Sequence, residues 1–129
     1  MRKWNLIWGS VLVSLFLIGC ASQQNPVAVT TSERQKGVVI EADSFEFRPN
    51  IIKVKEPGIL SIDIKNVANT EHNFTLKDPE GQIIKSVNLP EGKTVTVEII
   101  FPRSGTYPFY CDKTFHASLG MKGEVDVGK

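Results

Sequence analysis

Apolar and polar residues alternate along most of the chain after Gly37, in short runs that turn residues separate. The segment ILSIDIKN alternates in this way from Ile59 to Asn66, and KTVTVEIIF repeats the alternation from Lys93 to Phe101. A period of two is typical of β-strands with one buried face. The sequences PG, DPEG, PEG and PRSG between such runs are turn signals.

We count about eight strands of this kind, with turn signals at intervals of about 8–12 residues and no helical period of useful length. In chain order the runs are GVVIEA, SFEFRPNIIKVK, ILSIDIKN, HNFTLKD, QIIKSVNL, KTVTVEIIF, TYPFYC and GEVDV. Many short strands with regular turn signals predict an all-β sandwich or barrel around a single core. We expect six aromatic residues to lie in that core: Phe45, Phe47, Phe74, Phe101, Tyr107 and Tyr110.

The first 20 residues follow a different pattern. A basic MRK precedes an uncharged and mostly apolar run that ends in Leu17, Ile18, Gly19 and Cys20. This is the order of a secretory signal, and LIGC resembles the lipobox of bacterial lipoproteins, in which the cysteine is lipidated. We expect residues 1–19 to be a signal peptide and Cys20 to be the lipidated N-terminus. The alternative is an uncleaved signal anchor in which Cys20 has no role.

Residues 20–36 are polar after the cysteine and show no periodicity. Such a composition predicts a flexible tether between the lipid and a folded domain at residues 37–129. The protein would then lie outside the cytoplasm on the periplasmic side, anchored to a membrane through its lipid. Ala21, where an aspartate would signal retention, resembles the outer-membrane sorting pattern of cells with two membranes.

The charge of the chain excludes some classes of function. Lys and Arg number 15 against 14 Asp and Glu, a formal net charge of +1. A chain this close to neutral has no basic field for nucleic acid, and we expect no nucleic-acid partner. Its length of 129 residues suits one domain.

The residues with soft or borderline donor atoms are few. The chain has two cysteines, two histidines and two methionines, and the lipobox uses Cys20 while Met1 leaves with the signal. Three of those that remain lie in FYCDKTFHASLGM, with four residues between neighbouring members. Two imidazoles, one thiolate and one weak thioether are the ligand set of a blue-copper centre. The candidate ligands are His72, Cys111, His116 and Met121.

Other interpretations of these residues remain open at this point. Taken singly, Cys111 could be a buried free thiol, His72 a strand-end histidine, and Met121 a core side chain. Zinc is the alternative metal, although thioether is a poor zinc ligand and zinc sites usually add a carboxylate or a second thiolate. A metal-free sandwich module is the structural alternative.

The segment YCDKTFHASLGMKGEVDV resembles the C-terminal ligand loop of the cupredoxin family, the small blue copper proteins that include plastocyanin. Its Cys-x4-His-x4-Met spacing is most similar to rusticyanin and sulfocyanin. HNF resembles the first ligand strand of the family, and FEFRPNIIKV resembles an early segment of bacterial members. The resemblance implies a cupredoxin-like Greek-key β-sandwich with one type 1 copper ion, held by His72, Cys111 and His116 as equatorial ligands and Met121 as the axial ligand.

The resemblance also gives Asn73 a supporting role, in which it braces the ligand loops and directs its backbone N–H at the Cys111 sulfur. Glu71, Asp112 and Phe115 stand where the family usually has other residues. Carboxylates near copper favour Cu(II) by Coulomb attraction, so Glu71 and Asp112 predict a modest reduction potential. A red-copper variant with Glu71 as a ligand is the alternative.

The function that the resemblance implies is electron transfer, with copper cycling between Cu(I) and Cu(II) behind the exposed edge of His116. Phe115, Ala117 and Leu119 flank this histidine and could form an apolar docking rim. By family analogy, the partner would be a c-type cytochrome or a membrane oxidase or reductase, and the carrier would be a monomer.

Two other functions bear on the same site. A copper carrier or storage protein is the binding alternative, although the exposed clusters of methionine and histidine that such proteins use are absent from the sequence. A copper oxidase or nitrite reductase would need a second copper centre with several more histidines. The chain has two histidines in all, and we therefore expect no enzyme activity.

Overall fold

The computed structural model describes residues 26–29 and 37–129 of the chain. The predicted signal peptide, Cys20 and most of the predicted tether lie outside these residues. Within the described part there are ten strands in two sheets. None of its elements is a helix long and apolar enough to cross a bilayer.

The strands are β1 (Val27–Val29), β2 (Val38–Asp43), β3 (Glu46–Arg48), β4 (Ile51–Val54), β5 (Gly58–Asn66), β6 (His72–Lys77), β7 (Ile83–Leu89), β8 (Thr94–Phe101), β9 (Gly105–Tyr110) and β10 (Lys122–Val127). The six-stranded sheet has the order β1-β4-β10-β9-β6-β7, and the four-stranded sheet has the order β3-β2-β5-β8. Neighbours in a sheet are often distant in sequence, since β4 pairs with β10 and β6 pairs with β9. The all-β sandwich predicted from the sequence is confirmed.

The core lies between the two sheets. Strands β2, β5 and β8 alternate buried and more exposed residues, as their period-two sequences predict. Strand β6 differs, because its first five residues are all buried. The largest fully buried side chains come from both sheets: Tyr107, Phe47, Phe74, Phe101, Phe109, Ile40, Ile52, Ile62, Ile64, Leu76, Leu89 and Met121.

The strands differ from the sequence prediction in two places. The run SFEFRPNIIKVK forms two strands, β3 in the smaller sheet and β4 in the larger one, with Pro49-Asn50 between them. Within the predicted tether, β1 pairs in parallel with β4, with Val27 opposite Ile52. A strand of three residues without alternation gives no periodic signal, which is why this pairing could not be read from the sequence.

The strands that carry the candidate ligands meet at one end of the sandwich, which we call the site end. Strand β9 ends immediately before Cys111, and β10 begins immediately after Met121. In the neighbouring β6, Thr75 pairs with Tyr110. Because β6 and β9 are antiparallel, His72, three residues before Thr75, lies beside the loop that joins β9 to β10.

Candidate metal centre

His72 opens β6 and is buried at the site end. Burial lowers the pKa of its imidazole below the usual value, and the nearby His116 and Lys113 lower the pKa further against the opposing effect of Asp43. A lowered pKa favours the neutral ring, whose unprotonated nitrogen can act as a metal ligand.

The ligand loop, residues 111–121, is closed by backbone hydrogen bonds. The Cys111 amide donates to the Met121 carbonyl at 3.0 Å, and the Met121 amide donates to the His116 carbonyl at 3.0 Å. The His116 amide in turn donates to the carbonyl of Lys113 at 3.0 Å. These bonds fold the loop back on itself, so that a cysteine, a histidine and a methionine five residues apart are brought side by side.

Three donor atoms converge inside this loop. The Nδ1 atoms of His72 and His116 lie 3.2 Å apart. The Sγ atom of Cys111 lies 3.9 Å from the first of these nitrogens and 3.5 Å from the second. The three donor atoms all lie within 4.8 Å of one another, close enough to hold a metal ion. Met121 is completely buried beside it, positioned to complete the ligand set.

The donor atoms fit a bound cation better than they fit one another. An ion bonded to nitrogen at about 2.0–2.1 Å and to sulfur at about 2.3 Å produces donor separations of this size. The Nδ1 atom of His72 faces the site, since it contacts His116 and Cys111, whereas Nε2 is buried and has no hydrogen-bond partner among the described residues. Two imidazoles, a thiolate and a thioether suit copper better than zinc, because the thioether is a poor zinc ligand and no second thiolate or carboxylate lies in the group.

A polar network supports the site from the outer face of the six-stranded sheet. The buried Asn73 accepts a hydrogen bond at Oδ1 from the Asp112 amide at 2.8 Å, which ties β6 to the ligand loop. Thr75 donates to the Asp112 carboxylate at 3.3 Å and contacts the Ser86 hydroxyl at 3.1 Å. This network fixes the residue that follows Cys111, and such supporting contacts orient metal ligands.

Glu71 immediately precedes His72 in the chain, but its carboxylate contacts a lysine. Its carboxylate accepts a hydrogen bond from Lys113 Nζ at 2.6 Å, in an ion pair that is partly exposed. The pair joins the loop before His72 to the ligand loop, and it raises the pKa of Lys113. A carboxylate held by a lysine is a poor candidate for the red-copper alternative, which needs it as a ligand.

The predicted docking rim has two exposed members and one half-buried member. Phe115 is 74% exposed and Leu119 is 60% exposed, whereas Ala117 is half-buried. His116, between them, is also half-buried. His116 is therefore the one candidate ligand that reaches solvent, and exposed apolar residues precede and follow it in the ligand loop.

Phe45 was expected in the core, and that expectation is wrong. It lies in the turn between β2 and β3, is 43% exposed, and places its ring centroid 5.2 Å from that of His116. The alternation of Phe45 with Phe47 suggested one strand face, but the strand begins at Glu46. The departure arises because Phe45 has a left-handed backbone, with φ of 64°.

Asn66 is the second residue that the sequence interpretation missed. Its side chain donates to the carbonyls of Thr70 and Leu89 at 2.8 and 2.9 Å and accepts from the Ala68 amide at 3.0 Å. Leu89 pairs with His72 across the β6–β7 ladder. Asn66 thus organises the loop that leads into the first histidine. An asparagine at a strand end was the only sequence signal.

The fold and the site together define a class of protein: a small β-sandwich with a mononuclear metal site at one end, built from two histidines, a cysteine and a methionine. Comparison with known families gives the same result. The family model of the cupredoxin-like domain matches residues 10–127. The chain belongs to the cupredoxin family.

Individual relatives agree with this assignment. Plastocyanin A/B from Petroselinum crispum is 39% identical over 72 residues, which cover 51% of this chain and 72% of the plastocyanin. Reduced auracyanin from Roseiflexus castenholzii superposes with a TM-score of 0.63 at 20% identity, over 72% of this chain and 97% of that one. Auracyanin A of Chloroflexus aurantiacus, described as a "blue" copper protein, gives 0.60 at 22% identity, over 80% and 99%. At 20% and 22% identity, the two auracyanins show that this chain shares their fold.

Proposed function

We propose that this protein is an electron carrier that holds one type 1 copper ion between His72, Cys111, His116 and Met121. The observation that carries the proposal is the convergence of two imidazole nitrogens and one cysteine sulfur within 4.8 Å at the site end. Family membership and the plastocyanin and auracyanin relatives support it.

Bound copper would supply a one-electron couple, and the chain would supply its surroundings. The backbone bonds of the ligand loop and the Asn73–Asp112 contact hold the donors in place, which limits rearrangement when the charge changes. The half-buried His116 leaves one edge of the site near solvent, inside the apolar rim. A partner that docks there would come closest to the metal through this imidazole.

The location and partners belong to the same proposal. We propose that the protein acts outside the cytoplasm, attached to a membrane through a lipid on Cys20, with an outer-membrane location where two membranes exist. Its partner would be a c-type cytochrome or a membrane oxidase or reductase, met by a monomeric carrier without enzyme activity. The lipobox and the apolar segment before it support the attachment.

The test is to add Cu(II) to the purified protein, record the visible spectrum, and then record a voltammogram. We expect an intense blue band and a fast, reversible one-electron wave. A red or colourless product would contradict the ligand set. Rapid passage of Cu(I) to an apo acceptor, together with a slow or absent wave, would favour the copper carrier instead.

Glu71→Gln and Asp112→Asn are each expected to raise the reduction potential, because each removes one negative charge from beside the site. As an order of magnitude, one charge at about 8 Å in a medium with an effective dielectric constant of about 40 contributes about 1 kcal/mol, or about 40 mV for one electron. The Glu71 change removes the partner of Lys113 and so leaves that cation uncompensated. Voltammetry of the two variants at low ionic strength measures both shifts.

Glu98→Gln is the matched control, since Glu98 lies on the exposed face of β8 in the other sheet. Its potential should equal that of the wild type. Added salt should shrink the two expected shifts, because exposed charges are screened. Midpoints of all three variants within a few mV of the wild type would show that these carboxylates do not set the potential.

Leu119→Lys is expected to slow reduction of the carrier by a c-type cytochrome without changing the blue band. A lysine in the docking rim places a solvated charge where an apolar surface would be desolvated. Stopped-flow rates with the cytochrome, compared with rates for ascorbate, measure the effect. Ile100→Lys is the control, because Ile100 is 67% exposed on β8, away from the site end. Equal slowing by both variants would exclude a docking role for the rim.

A further inference from the structure

The His116 imidazole is touched from both sheets of the sandwich. The other candidate ligands belong to β6 and to the loop between β9 and β10, all part of the six-stranded sheet. The ring of Phe45 comes instead from the β2–β3 turn of the four-stranded sheet. Its plane is inclined at 82° to the imidazole, the T-shaped arrangement that favours aromatic pairs.

The backbone at Phe45 is unusual for its residue type. Asp43 pairs with Glu46, so the turn contains two residues, Ser44 and Phe45. The second has φ of 64°, a conformation that glycine and asparagine adopt readily and that a phenylalanine adopts at a cost. An uncommon backbone conformation that persists beside a functional site is grounds for assigning it a role.

The turn that carries Phe45 is held by its own contacts. Arg48 forms an ion pair with Asp43 at 2.7 Å and a second one with Glu46, so it joins the two residues that close the turn. The turn also approaches the end of the ligand loop, because a Cβ placed on Gly120 would lie 3.4 Å from the Phe45 carbonyl oxygen. The ring is therefore presented to His116 from a braced support.

We propose that Phe45 is a positioning residue for His116. Its ring restricts rotation of the imidazole and keeps Nδ1 directed at Cys111 and at the second imidazole. His116 needs such a contact more than His72 does, because His116 is half-buried on a loop whereas His72 is buried in a strand. The inference deepens the proposed function and rests on the copper site proposed there.

The variant is Phe45→Ala, and its control is Ile100→Ala. Alanine retains the Cβ of Phe45, so the backbone strain at φ of 64° is the same before and after the change. The two variants differ in the ring contact, since Phe45 touches the imidazole while Ile100 is 67% exposed on β8, away from the site end. Phe45→Tyr keeps the ring and serves as the rescue.

The first measurement is the rate at which the copper-loaded protein yields its metal to excess chelator. Phe45→Ala should increase this rate about three- to tenfold, the size of one aromatic contact, whereas Ile100→Ala should leave the rate unchanged and Phe45→Tyr should restore it. The second measurement is NMR relaxation of the two imidazole rings in the apo protein. Phe45→Ala should increase the motion of His116 alone, with His72 as the internal reference.

Equal acceleration of copper loss in the two alanine variants would overturn the inference, and so would equal loosening of both imidazoles. A wild-type protein that binds no copper would instead remove the proposed function. In that case, the NMR comparison on the apo protein still decides whether Phe45 restrains His116. If Phe45→Ala does not fold, Phe45→Leu replaces it, since leucine keeps an apolar side chain and lacks the ring.

Discussion

Replacing Cys111 with serine is expected to abolish the intense blue band that the wild-type protein acquires with Cu(II), while the sandwich stays folded. The band requires a thiolate bonded to copper, and a serine hydroxyl cannot take its place. Cys111 is fully buried, so the new hydroxyl would cost about 1–3 kcal/mol, which most domains tolerate. Visible absorption after copper addition and far-ultraviolet circular dichroism measure the two outcomes.

Cys20→Ser is the control for this substitution. It removes the predicted lipidation site and should leave the blue band unchanged, because it lies outside the domain that carries the ligands. Copper should also raise the thermal midpoint of the wild type, since a ligand at 100 times its Kd stabilises by about 2.7 kcal/mol, and Cys111→Ser should lose most of this gain. A blue Cys111→Ser protein would show that the thiolate is not a ligand.

The fold class could be predicted because it depends on local alternation. Strands such as β5 and β8 bury every second residue, and a period of two is visible in the sequence itself. The assignment of strands to sheets could not be read in this way. The run SFEFRPNIIKVK keeps its apolar character across Pro49, yet the chain changes sheets there, which only packing decides.

The candidate ligands could be predicted for a related reason. Three of them lie in one short segment, and the fourth is the only other histidine in the chain. The residues that position the ligands carry no such signal in the sequence. Phe45 and Asn66 lie 71 and 50 positions before His116, and they act through contacts that form when the two sheets pack. Their residue types, an aromatic and an amide, are common in loops and cores alike.

Asn66 illustrates how a residue outside the ligand set can determine the site. It is 1% exposed and uses both ends of its amide, with two N–H donors on carbonyls and one oxygen acceptor on an amide. Its backbone amide also donates to the Lys93 carbonyl at 2.9 Å. One side chain therefore joins the end of β5, the loop before His72 and the end of β7.

Asn66→Asp is expected to destabilise the protein by about 3–5 kcal/mol at pH 7 and to weaken copper binding. The change keeps the shape but replaces two donated hydrogen bonds with a buried oxygen that faces two carbonyls. Asn88→Asp, at an exposed position of β7, should change the stability by less than about 0.5 kcal/mol.

Urea unfolding of both apo variants at pH 7 and pH 4.5 provides the measurement. The loss should be smaller at pH 4.5, because a buried carboxyl has a raised pKa and its protonated form can donate one hydrogen bond. Equal stabilities of the two variants would show that the Asn66 network does not hold the loop before His72.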